Sequence, residues 1–246
     1  MFGAFIIGDE LLVGKREDKH LGFLIGALAR RGLRLSWAHY LGDEPARLTE
    51  ALKRSIASSD IVFSFGGIGA TPDDHTRQSA AAALGVPLEL HPQAEQEIRA
   101  RFPSGEATPQ RLAMGEFPQG AAIIPNPVNR IPGFSLADHH FVPGFPQMAW
   151  PMVEWVLETR YRDRFDAQKW AEASMLVFEA GESQLIPAMQ TVEQAFQGVK
   201  VFSLPSMGAD GSRLHVELGV RGDPREVAAA MERLRREVTS AGFPYQ

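Results

Sequence analysis

Apolar runs of strand length recur along the first two thirds of the chain, with helically spaced apolar positions between them. That pattern predicts a mostly parallel sheet with helices on its faces. Residues 3–8 predict a buried strand, followed by a helix that Asp18 caps, with Leu21, Leu24, Ile25 and Leu28 on one face and Gly32 just past its end. A second strand is predicted over 34–41, a helix from Pro45, and a third strand over Asp60–Phe65 that is apolar enough to be central. Gly66-Gly67 ends it. The next helix is expected to start with Thr71 as cap, Pro72 at its first position and Asp74 three residues after the cap, and to run to Gly85.

Beyond it the pattern predicts a short strand over 86–90, a polar helix over 91–102, an irregular loop over 103–120 holding at most one helical turn, and a strand over 121–125. Prolines and glycines limit regular structure over 125–151, apart from a strand at 139–142, and a helix follows at about 147–160. The basic, polar stretch from Arg160 to Lys169 then reads as a linker. The remainder reads β-α-β-β-α, with strands at 173–179, 199–204 and 213–220 and helices at 182–196 and 224–241. The expected domains are therefore an α/β domain over 1–165 and a small α+β domain over 170–246, in keeping with a chain too long for one comfortable core.

Composition narrows the chemistry. The chain has no cysteine, which excludes disulfides, thiolate zinc sites and cysteine nucleophiles. Its net charge of −5 gives no reason to expect nucleic acid or an anionic membrane as partner. No apolar stretch approaches the roughly 20 residues of a membrane-spanning helix, and the amino-terminal apolar run reads as a strand with no basic segment before it. A cytoplasmic protein is expected.

The turn Gly66-Gly67-Ile68-Gly69 leaves a strand and enters a helix, so its amides can converge on an anion. It is not a P-loop, since Gly8 and Gly14 are separated by one residue too many and Lys15 is followed by Arg16. Nor is it the dinucleotide fingerprint, whose third glycine is replaced by Pro72 despite Glu89 downstream. Its distinguishing feature is Asp73-Asp74: two carboxylates at a phosphate site repel the phosphate unless a cation bridges them. Mg²⁺, a hard ion that takes carboxylate and phosphate oxygens, is the expected cation. Thr76 and Arg77 would add a hydroxyl and a positive charge. The same residues also read as an ordinary helix start, where acids favour the macrodipole.

Two further acidic turns, Gly8-Asp9-Glu10 and Gly42-Asp43-Glu44, follow strands and would share one sheet edge with the glycine turn. Asp43 alternatively reads as a helix cap, and Asp9 with Glu10 as a strand end. His139 and His140 are adjacent on a strand and would face opposite ways, a poor chelate. His75 reads as a solvated helix residue. There is no Gly-x-Ser-x-Gly elbow, and Gly208-Ala209-Asp210-Gly211 reads as a hairpin turn rather than an RNA-clamping loop.

The run from Gly66 to Thr76 resembles the signature of the molybdopterin-binding superfamily, and within it the amino-terminal part of the competence/damage-inducible protein A family. Gly8-Asp9-Glu10-Leu11-Leu12 with Gly14, Gly42-Asp43-Glu44, Asn126-Pro127 and Pro143-Gly144-Phe145-Pro146 resemble further motifs of the family, in order, over residues 1 to about 160. The tail resembles the small KH-like domain that follows in that family. The resemblance implies that Asp43 and Asp74 occupy the positions of two aspartates that serve Mg²⁺-dependent activation of molybdopterin by adenylyl transfer. With it come Asp43, Asp73 and Asp74 as metal-binding residues and Gly66, Gly67, Gly69, Thr71, Thr76, Asp9 and Glu10 as phosphate-side contacts. Asn126, Pro143 and Gly144 would shape the pterin or base side.

Related domains hydrolyse ADP-ribose with Mg²⁺ or Co²⁺, and others bind molybdopterin without chemistry. A nucleotidyltransferase, a pyrophosphatase and a non-catalytic module thus all remain open. A homo-oligomer, dimer or trimer, is implied. The likeness does not extend to the family's later domain, which removes the amide from nicotinamide mononucleotide, so that activity is not expected of these residues. The chain departs from the family at His20, where asparagine is usual, and at Asn129-Arg130-Ile131, where Gly-Thr-Ala precedes Pro-Gly.

Overall fold

A computed structural model describes residues 1–103, 106–165, 171–206 and 214–246. The chain forms two compact units, Met1–Phe165 and Asp166–Gln246. In the first, β1 (Phe2–Ile7), a one-turn helix α1 (Asp9–Leu12), α2 (His20–Ala29), β2 (Leu35–Leu41), α3 (Pro45–Ala57) and β3 (Ile61–Phe65) lead to the glycine turn. After it come α4 (Thr76–Leu84), β4 (Leu88–Leu90), α5 (Pro92–Arg101), α6 (Pro109–Ala113), β5 (Glu116–Pro118), β6 (Ala122–Ile124), β7 (Gly133–Leu136), β8 (His139–Val142) and α7 (Pro146–Arg160).

Six strands form one sheet in the order β2-β1-β3-β8-β7-β6. The first four run parallel, and β7 and β6 are antiparallel to their neighbours. On one face Ala4, Ile6, Phe63 and Phe65 pack against Leu24 and Leu28 of α2 and Met152, Val153 and Val156 of α7. On the other, Phe5, Ile7 and Val62 meet Leu48 and Leu52 of α3 and Ala80 of α4. Cover on both faces is why β1 and β3 are near-continuous apolar runs. The parallel order has a functional consequence: the turns after β1, β2, β3 and β8 all emerge at the same edge of the sheet.

The stretch 103–120 holds the single helical turn its sequence allowed and, beyond that expectation, a strand. Pro109 opens α6 behind Thr108, whose hydroxyl accepts the Arg111 amide at 3.4 Å, and β5 pairs with β4 as a separate ribbon. β7 was also hidden among prolines and glycines. His139 and His140 do face opposite ways: Nε2 of His139 meets Ser55 Oγ at 2.8 Å, whereas His140 bridges Ser135 Oγ at 2.8 Å and the Tyr161 hydroxyl at 2.7 Å.

The second unit follows the order β9 (Ala171–Phe178), α8 (Glu182–Ala195), β10 (Val199–Ser206), β11 (His215–Gly222) and α9 (Pro224–Ser240). Its antiparallel sheet, β10-β11-β9, buries Met175, Val177, Leu218 and Val220 against Leu185 and Val192 of α8 and Val227, Met231 and Leu234 of α9. Of the stretch expected as a linker, Arg160 still belongs to α7 and Arg162–Arg164 form a short 3-10 helix of the first unit, so 160–165 are structured rather than linking. Residues 166–169 and the turn Gly208–Gly211 lie outside the described residues.

Candidate functional site

The three acidic turns meet at the shared edge. The Asp9 amide donates to Oδ2 of Asp43 at 2.9 Å, and the Asp43 amide returns a bond to Oδ1 of Asp9 at 3.2 Å. Asp43 is therefore not the cap of α3; Glu44 holds that position. Asp9 and Glu10 do not merely end β1 but form the first turn of α1. Partial burial pushes the Asp43 carboxyl above the usual carboxylate range, and the nearby charges of Asp9, Glu10 and Asp73 push the same way against the Asp9 amide. The Asp73 carboxyl, beside the Thr71 hydroxyl, is held below that range.

The helix after the glycine turn begins later than its sequence suggested, at Thr76, with His75 at the cap position. Thr71 to Asp74 form a closed turn instead: Asp74 accepts the Thr71 amide at 2.8 Å and the Thr71 hydroxyl, while the Asp74 amide bonds to the Thr71 carbonyl at 3.0 Å. Only half of a capping box is present, the Asp74 carboxylate accepting the Thr71 amide; the Asp74 amide goes to the Thr71 carbonyl rather than to its hydroxyl, and the bonds close a turn upstream of α4.

The helix in turn pins the loop. Thr76 Oγ1 donates to the Gly66 carbonyl at 3.1 Å, the Thr76 amide to the Gly67 carbonyl at 3.0 Å, and Arg77 Nη2 to the Gly69 carbonyl at 2.6 Å. A trans peptide points its N–H opposite to its C=O. With those carbonyls drawn toward α4, the amides of Gly67, Ile68 and Ala70 face away from it, and among the described residues no hydrogen bond uses them. Gly66 and Gly67 make this possible with φ of 100° and 68°. A Cβ would strike the Ile7 carbonyl at the first and the Thr76 hydroxyl at the second.

Two residues expected at the anion itself are thereby relocated. The Thr76 hydroxyl is buried and committed to Gly66, and the Arg77 guanidinium faces the interior; both act on the loop from behind. Asn126 is likewise committed to its own turn, donating to the Ile131 carbonyl at 3.0 Å and accepting the Val128 amide at 3.1 Å. Its influence on a ligand runs through that turn.

Beside the acidic turns a cavity of about 290 Å³ is lined by Ile6, Glu10, Arg16, His20, Phe65 and Phe145, among others, and by Gly144. Gly144 lies in this wall, with Pro143 preceding it in the chain. His20 stacks on Phe65 with ring centroids 4.6 Å apart, and its Nε2 donates to the Gly144 carbonyl at 3.1 Å. Burial lowers the His20 pKa, against the Gly144 carbonyl and Asp18. The cavity role of His20 and Arg16 was not read from the sequence, whereas Phe145 lies in the Pro143–Pro146 turn expected on the pterin or base side; the one signal for His20 was its standing where asparagine is usual.

The glycine turn, the acidic turns and the α/β layering coincide with one sequence family. Residues 3–163 match the family described as a probable molybdopterin binding domain. The chain belongs to that family. Among molybdopterin-binding-domain relatives, a CinA-like protein of Anaeromyxobacter sp. (strain Fw109-5) is 33% identical over 236 residues, covering 87% of this chain and 57% of the relative. A protein of Pyrobaculum aerophilum is 28% identical over 232 residues, with 92% and 87% covered. The crystal structure of CinA, of unknown function, from Thermoplasma acidophilum superposes with a TM-score of 0.59 at 25% identity, covering 64% of this chain and 95% of that one. The chain thus spans only about half the length of some CinA-like relatives, 57% in one case and 46% in another. No helix among the described residues is long and apolar enough to cross a membrane.

Proposed function

We propose that the first unit binds the diphosphate of a molybdopterin- or nucleotide-type ligand with Mg²⁺ at the carboxyl edge of its sheet. The observation that carries this reading is the row of outward amides at Gly67, Ile68 and Ala70, fixed by Thr76 and Arg77, next to the carboxylates of Asp43, Asp73 and Asp74. Such amides are donors for phosphate oxygens.

Among the described residues no three His, Asp or Glu side chains are arranged to hold a metal by themselves. Mg²⁺ needs no such cage, because it is commonly bound by one or two carboxylates plus substrate phosphates and waters. Burial raises the Asp43 pKa first, and the charges of Asp9, Glu10 and Asp73 add to it; a cation would relieve that added repulsion. Asp43 and Asp73 are the proposed ligands. Asp74, held by Thr71, sets the turn that presents Asp73 and serves the reaction from there. The bound ion would neutralise charge developing at phosphorus. The outward amides would hold the phosphate oxygens in place, and the His20–Phe145 cavity would receive the ring at one end of the ligand.

Incubation with ADP-ribose and Mg²⁺ or Co²⁺ tests the chemistry. Metal-dependent release of AMP and ribose phosphate, lost in Asp43→Asn, identifies a pyrophosphatase. Binding without products leaves a transferase awaiting its pterin or a carrier module. No binding of any diphosphate contradicts the reading.

A further inference from the structure

Arg77 is placed unlike a surface cation. The residue is 3% exposed, and its guanidinium touches two separate segments of chain. Nη2 holds the Gly69 carbonyl at 2.6 Å; Nη1 holds the carbonyls of Ala113, at the end of α6, and of Glu116, at the start of β5, the latter at 3.2 Å. Nε has no partner among the described residues. Burial lowers its pKa, opposed by the through-space influence of Glu116 and Asp74.

A guanidinium held mainly by carbonyl dipoles is costly to bury, and packing alone would be served by a methionine. What the charge achieves here is geometric. Five donors in a rigid fork grip two chain segments in a fixed geometry, whereas a lysine offers three donors from a single point on a flexible stem. The grip on Gly69 turns the Ala70 amide outward. The grip on Ala113 and Glu116 ties that same peptide to the excursion formed by β4, α5, α6 and β5.

We propose that Arg77 is a positioning residue that keeps the Ala70 amide facing the ligand and links occupancy of the glycine loop to the order of the α6–β5 segment. This rests on the anion-site reading above. It extends that reading by making residues 113–118, some forty positions downstream, respond to phosphate bound at residues 67–70.

Inorganic pyrophosphate with Mg²⁺ is the probe, with calorimetry for affinity and backbone hydrogen exchange for residues 113–118. In the wild-type chain, binding is expected to slow exchange over 113–118. Arg77→Lys and Arg77→Met are expected to weaken pyrophosphate binding by about tenfold or more, the loss of a charge-assisted contact, and to remove the slowing. A merely structural role would lower the unfolding midpoint of these variants and leave the affinity of the folded protein unchanged; that result would overturn the proposal while the anion site stood. The wild-type exchange measurement needs no variant: pyrophosphate bound with no slowing over 113–118 would refute the link directly. If wild-type protein bound no pyrophosphate, the anion-site reading would fail and the proposal with it.

Discussion

Asp9 and Asp43 exchange backbone-to-side-chain hydrogen bonds across the edge of the sheet, at 2.9 and 3.2 Å. Each turn thereby fixes the other, and two carboxylates stand together where β1 and β2 end. The arrangement favours a cation and is strained by charge without one.

Asp43→Asn is therefore expected to stabilise the metal-free protein at neutral pH, because asparagine can still accept the Asp9 amide but carries no charge. The folded pKa of Asp43 is raised above its unfolded value by burial and neighbouring carboxylates, so its stability contribution falls as pH rises through that window. The gain should be about 1 kcal/mol or less, since the group is partly solvated. Thermal unfolding at pH 7 and pH 4 checks it: the variant should gain at pH 7 and show little gain at pH 4.

Gly67→Ala should lower stability by about 1–2 kcal/mol, the cost of a side chain in the left-handed region. It should also displace the Thr76 hydroxyl that would meet the new Cβ. Urea unfolding together with pyrophosphate titration separates the two effects; unchanged stability and unchanged affinity would contradict the pinned-loop geometry.

Acid should destabilise the first unit through its buried histidines. Burial pushes His140 down to about 3 and lowers His139 and His20 as well. Below the unfolded value of about 6.5 the unfolded chain takes up protons that the folded one does not, so stability falls as pH drops from about 6.5 towards 3. Each such group contributes at most about 1.4 kcal/mol per pH unit. The depressed pKa of Asp60, bonded to Trp37, steepens the fall below about 4. Denaturation midpoints for wild type and His140→Phe across this range should show a shallower slope in the variant.

Much of this arrangement was legible in the sequence because it is set by local pattern. The buried runs of β1 and β3 announced a doubly covered parallel sheet, and a parallel sheet alone places Asp9, Asp43 and Gly66 at one edge. What pattern could not provide was the direction of side chains. Thr71-Pro72-Asp73-Asp74 carries the residues of a helix start, yet Asp74 closes a turn on Thr71 and α4 waits for Thr76. Arg77 looked like a ligand cation and instead binds carbonyls some forty residues away, a contact no local rule anticipates. The His20–Gly144 contact, between residues 124 positions apart, was hidden for the same reason.

The most direct test of the central claim is calorimetric titration of ADP, with and without Mg²⁺, into wild-type protein and Asp43→Asn. The account predicts binding that requires Mg²⁺ in the wild type and is weakened by about tenfold or more in the variant, the loss of a charged metal ligand. Equal ADP affinity in the presence of EDTA, or an Asp43→Asn protein that binds as wild type does with Mg²⁺, would contradict it.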